Sequence, residues 1–272
     1  KSLAVGICGS DIHGFTGESG RRKPGMVMGH EAVGEVVSLG SGVNTLKAGD
    51  HVAVFNIVGC GRCRFCLTNQ HQLCQTKRIL GVNAGQWGAM AEFFTAPADV
   101  CFSLPPDLDP ALGVLPEPIA VGLHAIGKMS PSPDDTVAIV GAGMIGIGLA
   151  IGLKSAGAKR FFALDKLQPK LDFIRQFGAL PVNVEQGDAV AWVRQETGGE
   201  GARGVFEAVG AAATVRTAYD LCAAGGTVVL IGNLAREFTL PLQGVTTNEI
   251  TLRGSYGFTK EDFREAVRII AQ

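Results

Sequence analysis

The chain has 272 residues, of which 46% are hydrophobic and 18% charged, and its formal net charge is -1. That length and apolar content suffice for two domains with real cores and exclude a disordered or collagen-like chain. The near-neutral charge excludes the broad basic face of a nucleic-acid binder and gives no pull toward an anionic membrane.

Residues 1–6 read as the end of a strand, without an initiator methionine or a signal-peptide pattern, so the chain is expected to be a fragment. From residue 1 to about 113, short apolar runs such as 32–37 and 51–54 are broken by Gly, Asp and Pro, which predicts a β-rich domain. Two clusters in it carry potential metal ligands, Cys8-Gly9-Ser10-Asp11-Ile12-His13 and Gly29-His30-Glu31. A third is denser: Cys60, Cys63, Cys66 and Cys74 place four of the seven cysteines within fifteen residues. Thiolates at such intervals converge on one tetrahedral zinc, whose binding energy folds a loop too polar to make its own core. Paired disulfides are the alternative, but the odd count in a chain this long does not match a small secreted scaffold. A zinc ribbon gripping nucleic acid, encouraged by Arg62, Arg64, Lys77 and Arg78, is opposed by the charge balance and the sparse aromatics. Four thiolates fill every tetrahedral position, so this zinc is expected to be structural.

The Pro-rich stretch 104–118 marks a boundary, giving expected domains at 1–113 and 114–272. Beyond it, β-branched blocks at 137–140, 161–164, 181–184, 205–208, 227–231 and 250–252 alternate with helical connectors at 168–177, 188–197, 212–222 and 259–271. This pattern predicts an α/β domain with a doubly wound parallel sheet. The uncharged run 136–153 is long enough for a membrane span, but its five glycines and its Val-Ala-Ile-Val front end predict a buried strand followed by a closely packed helix.

Gly141-Ala142-Gly143-Met144-Ile145-Gly146 follows the first of these strands directly and opens a helix, and Asp165 closes the next strand. The glycines permit the turn and let a pyrophosphate approach the helix N-terminus. A carboxylate at Asp165 suits the ribose hydroxyls and repels a 2′-phosphate, which favours NAD over NADP; Lys166 and Lys170 soften that preference.

On Cys8, Ser10 and His13, on Gly29-His30-Glu31, on the four-cysteine lobe and on the nucleotide loop, the chain resembles the zinc-dependent medium-chain dehydrogenases/reductases, the alcohol dehydrogenase superfamily. The resemblance implies a GroES-like catalytic domain over 1–113 and an NAD-binding Rossmann domain over 114–272. It also implies that a few dozen N-terminal residues and a C-terminal return to the catalytic domain are missing. Cys8 and His30 match ligands of a catalytic zinc, and Glu31 the adjacent acid. Where alcohol dehydrogenases proper use a second cysteine, this chain has Glu117 in Glu117-Pro118-Ile119, similar to the sorbitol (polyol) dehydrogenase branch. Either Glu31 or Glu117 then serves as the third direct ligand.

Ser10 matches the hydroxyl that contacts the substrate oxygen, His13 the solvent end of a proton relay, and Asp11 the partner that orients His30. Val209, Gly210, Ile231 and Gly232 match further cofactor contacts, and Gly254-Ser255-Tyr256 the nicotinamide side. The implied protein is a cytoplasmic homodimer or homotetramer with two zinc ions per subunit, pairing sheet edges near 249–253. It oxidises a secondary alcohol (polyol, sugar alcohol or diol) to a ketone with NAD, and takes neither nucleic acid nor membrane as partner. The alternatives are a threonine dehydrogenase-like oxidation of an amino alcohol and a non-catalytic zinc- and NAD-binding protein. Substrate choice is expected to lie in the loop after Ser10, in 55–58 and around Trp87, whereas Cys101 and Cys222 read as inert core thiols.

Overall fold

The computed structural model describes residues 1–17, 22–83 and 88–272, so Trp87 lies outside the described residues. Two compact units are present: Lys1–Ala120 together with Phe258–Gln272, and Val121–Gly257.

The first unit contains β1 (Ser2–Gly6), β2 (Glu31–Glu35), β3 (His51–Val54), β4 (Ile57–Val58), β5 (Arg78–Ile79) and β6 (Cys101–Ser103). Four of these form an antiparallel sheet in the order β1-β2-β3-β6, and β4 pairs with β5. Ala32 and Val33 in β2, and Val52, Ala53 and Val54 in β3, are buried consecutively, so both faces of the sheet centre are covered. The end of β1 pairs with the start of β2, Gly6 opposite Glu31. A side chain at position 6 would collide with the Glu31 carboxylate, so glycine there makes the space that the carboxylate occupies.

Beyond β3, the fully buried Phe55 meets Phe258 and Phe263 edge-on, with ring centroids at 5.5 and 5.8 Å, and Phe102 of β6 meets Phe263 at 5.1 Å. Phe263 belongs to the helix Lys260–Ile270, which Thr259 and Asp262 start with a reciprocal capping box. The last helix, expected within 114–272, buries its aromatic face on Phe55 and Phe102, and Phe258–Gln272 lies in the first compact unit.

The second unit holds β7 (Val137–Val140), β8 (Phe161–Asp165), β9 (Leu180–Asn183), β10 (Ala202–Glu207), β11 (Cys222–Leu230) and β12 (Thr251–Gly254). All pair in parallel, in the order β12-β11-β10-β7-β8-β9. Strand order reverses between β7 and β10, the switch point at whose carboxyl ends doubly wound sheets bind ligands. Val137, Ile139, Ala163, Phe206 and Val229 pack on one face against Leu149, Leu153, Leu171 and Ile174. Ala138, Val140, Phe162, Leu164, Val205 and Val228 pack on the other against Val193, Ala218 and Leu221. Burial on both faces is why these strands read as unbroken apolar blocks rather than alternating ones.

Every predicted block of the second domain is a strand, and the run at 136–153 is β7 followed by the helix Met144–Ser155. Among the described residues no helix is long and apolar enough to cross a membrane. The helix Leu242–Thr247 was not predicted; it is one short turn and a half with no buried residue, so it has no apolar stripe to read. β12 forms an edge of the sheet, and all four of its residues are exposed.

Phe263→Ala is expected to destabilise the first unit by about 3–5 kcal/mol, the usual cost of emptying a buried aromatic site, measured by urea unfolding. A loss below about 1 kcal/mol would contradict the assignment of the last helix to this core.

Candidate active site and metal centres

Cys8 stands at the start of the helix Gly9–Phe15. Asp11 N donates to the Cys8 carbonyl at 2.9 Å, and Cys8 N donates back to Asp11 Oδ2 at 3.3 Å. The helix start therefore folds the Asp11 carboxylate beneath Cys8, where it is 2% exposed. Pairing of β1 with β2 brings Cys8, two residues past β1, against His30 and Glu31. The ligand atoms of Cys8, His30 and Glu31 all lie within 4.8 Å of one another. His30 Nδ1 is 3.3 Å from Asp11 Oδ1.

Glu117 enters from the first turn of the helix Pro116–Met129 and is buried. Its Oε1 accepts from Asn56 Nδ2 at 2.7 Å, and the same amide reaches the His30 carbonyl at 3.4 Å. Glu117 lies outside the 4.8 Å group, yet its charge acts on His30. Of the expected ligands, the structure thus gathers Cys8, His30 and Glu31 and holds Glu117 next to them on Asn56. Ser10 is exposed on the first turn of the Cys8 helix and His13 is half-buried further along it.

Electrostatics within this group favour a bound cation. Burial opposes the charge on His30, but Asp11, Cys8 and Glu117 outweigh it and push its pKa up to about 11. Burial and the Glu31 carboxylate push Glu117 up to about 7, against His30 and Asn56. Burial likewise raises Glu31. Asp11 is lowered despite its burial, because His30 and Arg22 hold its charge. A thiol, an imidazole and one of two buried carboxylates form a three-donor set that fits zinc and would leave a coordination position open.

The four-cysteine lobe is built from the loop after β4, the turn Arg64–Leu67 that carries Cys66, and the turn His71–Leu73 that delivers Cys74. All four sulfurs lie within 4.8 Å of one another. Cys63 Sγ is 3.5 Å and Cys60 Sγ 4.0 Å from Cys66 Sγ, bracketing the edge of about 3.8 Å that a tetrahedron with 2.3 Å zinc–sulfur bonds requires. None of the seven cysteines is in a disulfide. Backbone amides of Arg62 and Cys63 lower Cys60 to about 6, whereas burial pushes Cys66, Cys101 and Cys222 up to about 11.

In the second unit, Gly141 turns the chain out of β7 at φ 105°, and Gly143 caps the helix Met144–Ser155. A side chain at Gly146 would collide with the Gly141 carbonyl, so the helix start closes directly on the turn. Met144 is exposed and Ile145 half-buried at that start. Asp165 at the end of β8 accepts from Ala142 N at 2.9 Å and from Leu167 N at 3.0 Å, which ties the carboxylate to the glycine loop. Lys170 is exposed on the helix Gln168–Ile174. Val209-Gly210 and Ile231-Gly232 follow β10 and β11 at their carboxyl ends, and their backbones touch at the two glycines.

Three residues of these sites escaped the sequence reading. Asn56 holds Glu117; Glu207, fully buried, accepts from Val209 N, Gly210 N and Thr214 Oγ1 and so fixes the loop after β10; Arg22 meets Ser10 and Asp11. Glu207 ends the apolar strand β10, and Asn56 interrupts the apolar run between β3 and β4, each with a polar side chain, which was the available signal. Arg22, in a polar loop, carried none.

Residues 1–106 match the family model for the alcohol dehydrogenase GroES-like domain, and residues 144–272 match that for zinc-binding dehydrogenase. Over 98% of its length the chain is 34% identical to the protein named Probable D-xylulose reductase A from Neosartorya fischeri, of which it covers 76%. A zinc-binding dehydrogenase from Sinorhizobium meliloti 1021, solved bound to NADP, superposes with a TM-score of 0.92 at 31% identity, covering 100% of this chain and 80% of that one. Galactitol-1-phosphate dehydrogenase from Escherichia coli superposes with a TM-score of 0.87 at 28% identity, covering 98% and 79%.

In the metal-stripped protein at pH 7, Cys60 is above its pKa and largely thiolate, while Cys66, Cys101 and Cys222 are far below theirs. Alkylation followed by peptide mass spectrometry is expected to label Cys60 first of these four, with zinc protecting it. Equal rates, or no protection by zinc, would contradict the site.

Proposed function

Since the chain belongs to the zinc-containing medium-chain dehydrogenases of the alcohol dehydrogenase superfamily, we propose that it oxidises a secondary hydroxyl of a polyol, sugar alcohol or related diol to a ketone, passing the hydride to NAD. The observation that carries this reading is the buried group of Cys8, His30 and Glu31 with Glu117 beside it, in a chain that also has a dinucleotide loop. Cys8 and His30, with either Glu31 or Glu117, would hold a catalytic zinc. When bound, the zinc would supply Lewis acidity to the substrate hydroxyl and NAD the hydride acceptor.

Asp11, near Nδ1 of His30, fixes the ring so that Nε2 is the ligating nitrogen. Glu117 keeps Oε1 on Asn56 and has Oε2 for the metal or for a proton. Ser10 takes the proton of the substrate hydroxyl, and His13 passes it toward solvent. Cys60, Cys63, Cys66 and Cys74 hold a second, structural zinc.

NAD is preferred over NADP because the Asp165 carboxylate, tied to Ala142 and Leu167, presents negative charge where a 2′-phosphate would sit. Gly141, Gly143, Met144, Ile145 and Gly146 receive the pyrophosphate, Val209, Gly210, Ile231 and Gly232 line the same switch point, and Lys170 is the nearby cation. We place the protein in the cytoplasm, where seven free cysteines are stable. A homodimer or homotetramer formed through the exposed edge of β12 would cover the open side of the sheet.

The test is a panel of polyols, diols, secondary alcohols and L-threonine on the zinc-loaded protein, followed by NADH absorbance with a chelator control. Chelator-sensitive reduction of NAD by a polyol is expected, with Asp165→Ala shifting cofactor preference toward NADP by about tenfold or more, the loss of one charge contact. No turnover with any member would defeat the reading, and a preference for threonine would redirect it to amino alcohols.

A further inference from the structure

We infer that Arg22 is a positioning residue for the candidate catalytic zinc site, holding through one nitrogen both the carboxylate that orients His30 and the hydroxyl of Ser10. The inference rests on the roles proposed above for Cys8, His30 and Ser10 and adds a residue outside every motif of the sequence. Arg22 Nη2 donates to Asp11 Oδ1 at 2.9 Å and to Ser10 Oγ at 3.2 Å. Its side chain is 5% exposed and that of Asp11 2%, so the pair is not a solvated surface ion pair. Asp11 shares Oδ1 between Arg22 and His30 and gives Oδ2 to the backbone of Cys8. One carboxylate therefore connects Arg22 to two of the proposed zinc ligands.

Two further observations show that the guanidinium is placed for these contacts. The helix Gly9–Phe15 carries glycine at position 14, where any side chain would strike the Arg22 stem. Glycine weakens a helix, and here its absence of a side chain is what lets the stem lie across it. Arg22 Nε is buried and finds no acceptor among the described residues. Nη2 makes both of the contacts that matter to the site.

Ser10 gains a defined direction from this arrangement. A guanidinium has no acceptor, so Ser10 Oγ accepts from Arg22 and one of its two lone pairs is occupied. The remaining lone pair can take the substrate proton while the original hydroxyl hydrogen leaves toward solvent. One proton enters, one departs, and Ser10 ends as it began.

The test compares wild type, Arg22→Gln and Gly14→Ala as full, zinc-loaded chains in competition with a chromogenic chelator. The four-cysteine zinc serves as an internal standard. Arg22→Gln is expected to weaken the Cys8 site about 10–100-fold, the usual effect of losing an orienting partner, with the four-cysteine site unchanged. Gly14→Ala, which displaces the arginine without removing its charge, is expected to weaken the same site and decides the matter where Arg22→Gln does not fold. With an active substrate, kcat falls in Arg22→Gln while KM for NAD holds, and the Ser10→Ala/Arg22→Gln double variant is no slower than the slower single one. Unchanged zinc affinity at the Cys8 site in the folded variants would overturn the inference. The zinc readout needs no turnover, so a failed substrate panel would remove the proposed function and still leave Arg22 to be decided.

Discussion

Around His30 the fold buries Asp11, Glu31 and Glu117 with the Cys8 thiol nearby, and offsets them, among the described residues, with the imidazole and Arg22. Carboxylates taken out of water are costly unless paired. Asp11 is paired on both sides and keeps its charge, whereas Glu31 and Glu117 are driven toward their neutral forms. A divalent cation relieves that imbalance, and the surrounding structure is arranged to produce it. The register of β1 on β2 brings the Cys8 turn to His30, Gly6 leaves space for Glu31, and Asn56 holds Glu117 at the edge of the group.

The two candidate metal centres differ in their donor sets. Four thiols at tetrahedral spacing would complete a coordination shell, which suits a role in organising the lobe around them. The group at Cys8 has fewer ligands and is exposed on the side of Ser10, so it is the one with room for chemistry. Arg22 belongs to this second centre in the same way that Asn56 does. Each donates to a carboxylate of the group, Asn56 to Glu117 and Arg22 to Asp11.

Much of this was legible in the sequence, for reasons that can be assigned. The strands β7, β8, β10 and β11 are covered on both faces, so they appear as unbroken apolar blocks, and the glycine loop after β7 has a spacing dictated by backbone contact. Cys60 to Cys74 are close in sequence, the spacing by which one small loop can wrap one ion. The pattern of the last helix reports an apolar face and not the surface that covers it; the contacts of Phe263 with Phe55 and Phe102 reveal the partner. Asn56 and Arg22 were missed because their importance comes from contacts with Glu117 and Asp11, 61 and 11 residues away, which local spacing cannot encode.

The central claim is that the buried acids around His30 exist to hold a zinc ion distinct from that of the cysteine lobe. Anomalous diffraction at the zinc edge from crystals of the zinc-loaded protein tests it most directly. Two peaks are predicted: one among the sulfurs of Cys60, Cys63, Cys66 and Cys74 at about 2.3 Å, the other bonded to Cys8, His30 and one of Glu31 and Glu117, with the imidazole nitrogen at about 2.0–2.1 Å. A single peak in the cysteine lobe, with the Cys8 group empty at saturating zinc, would contradict the account.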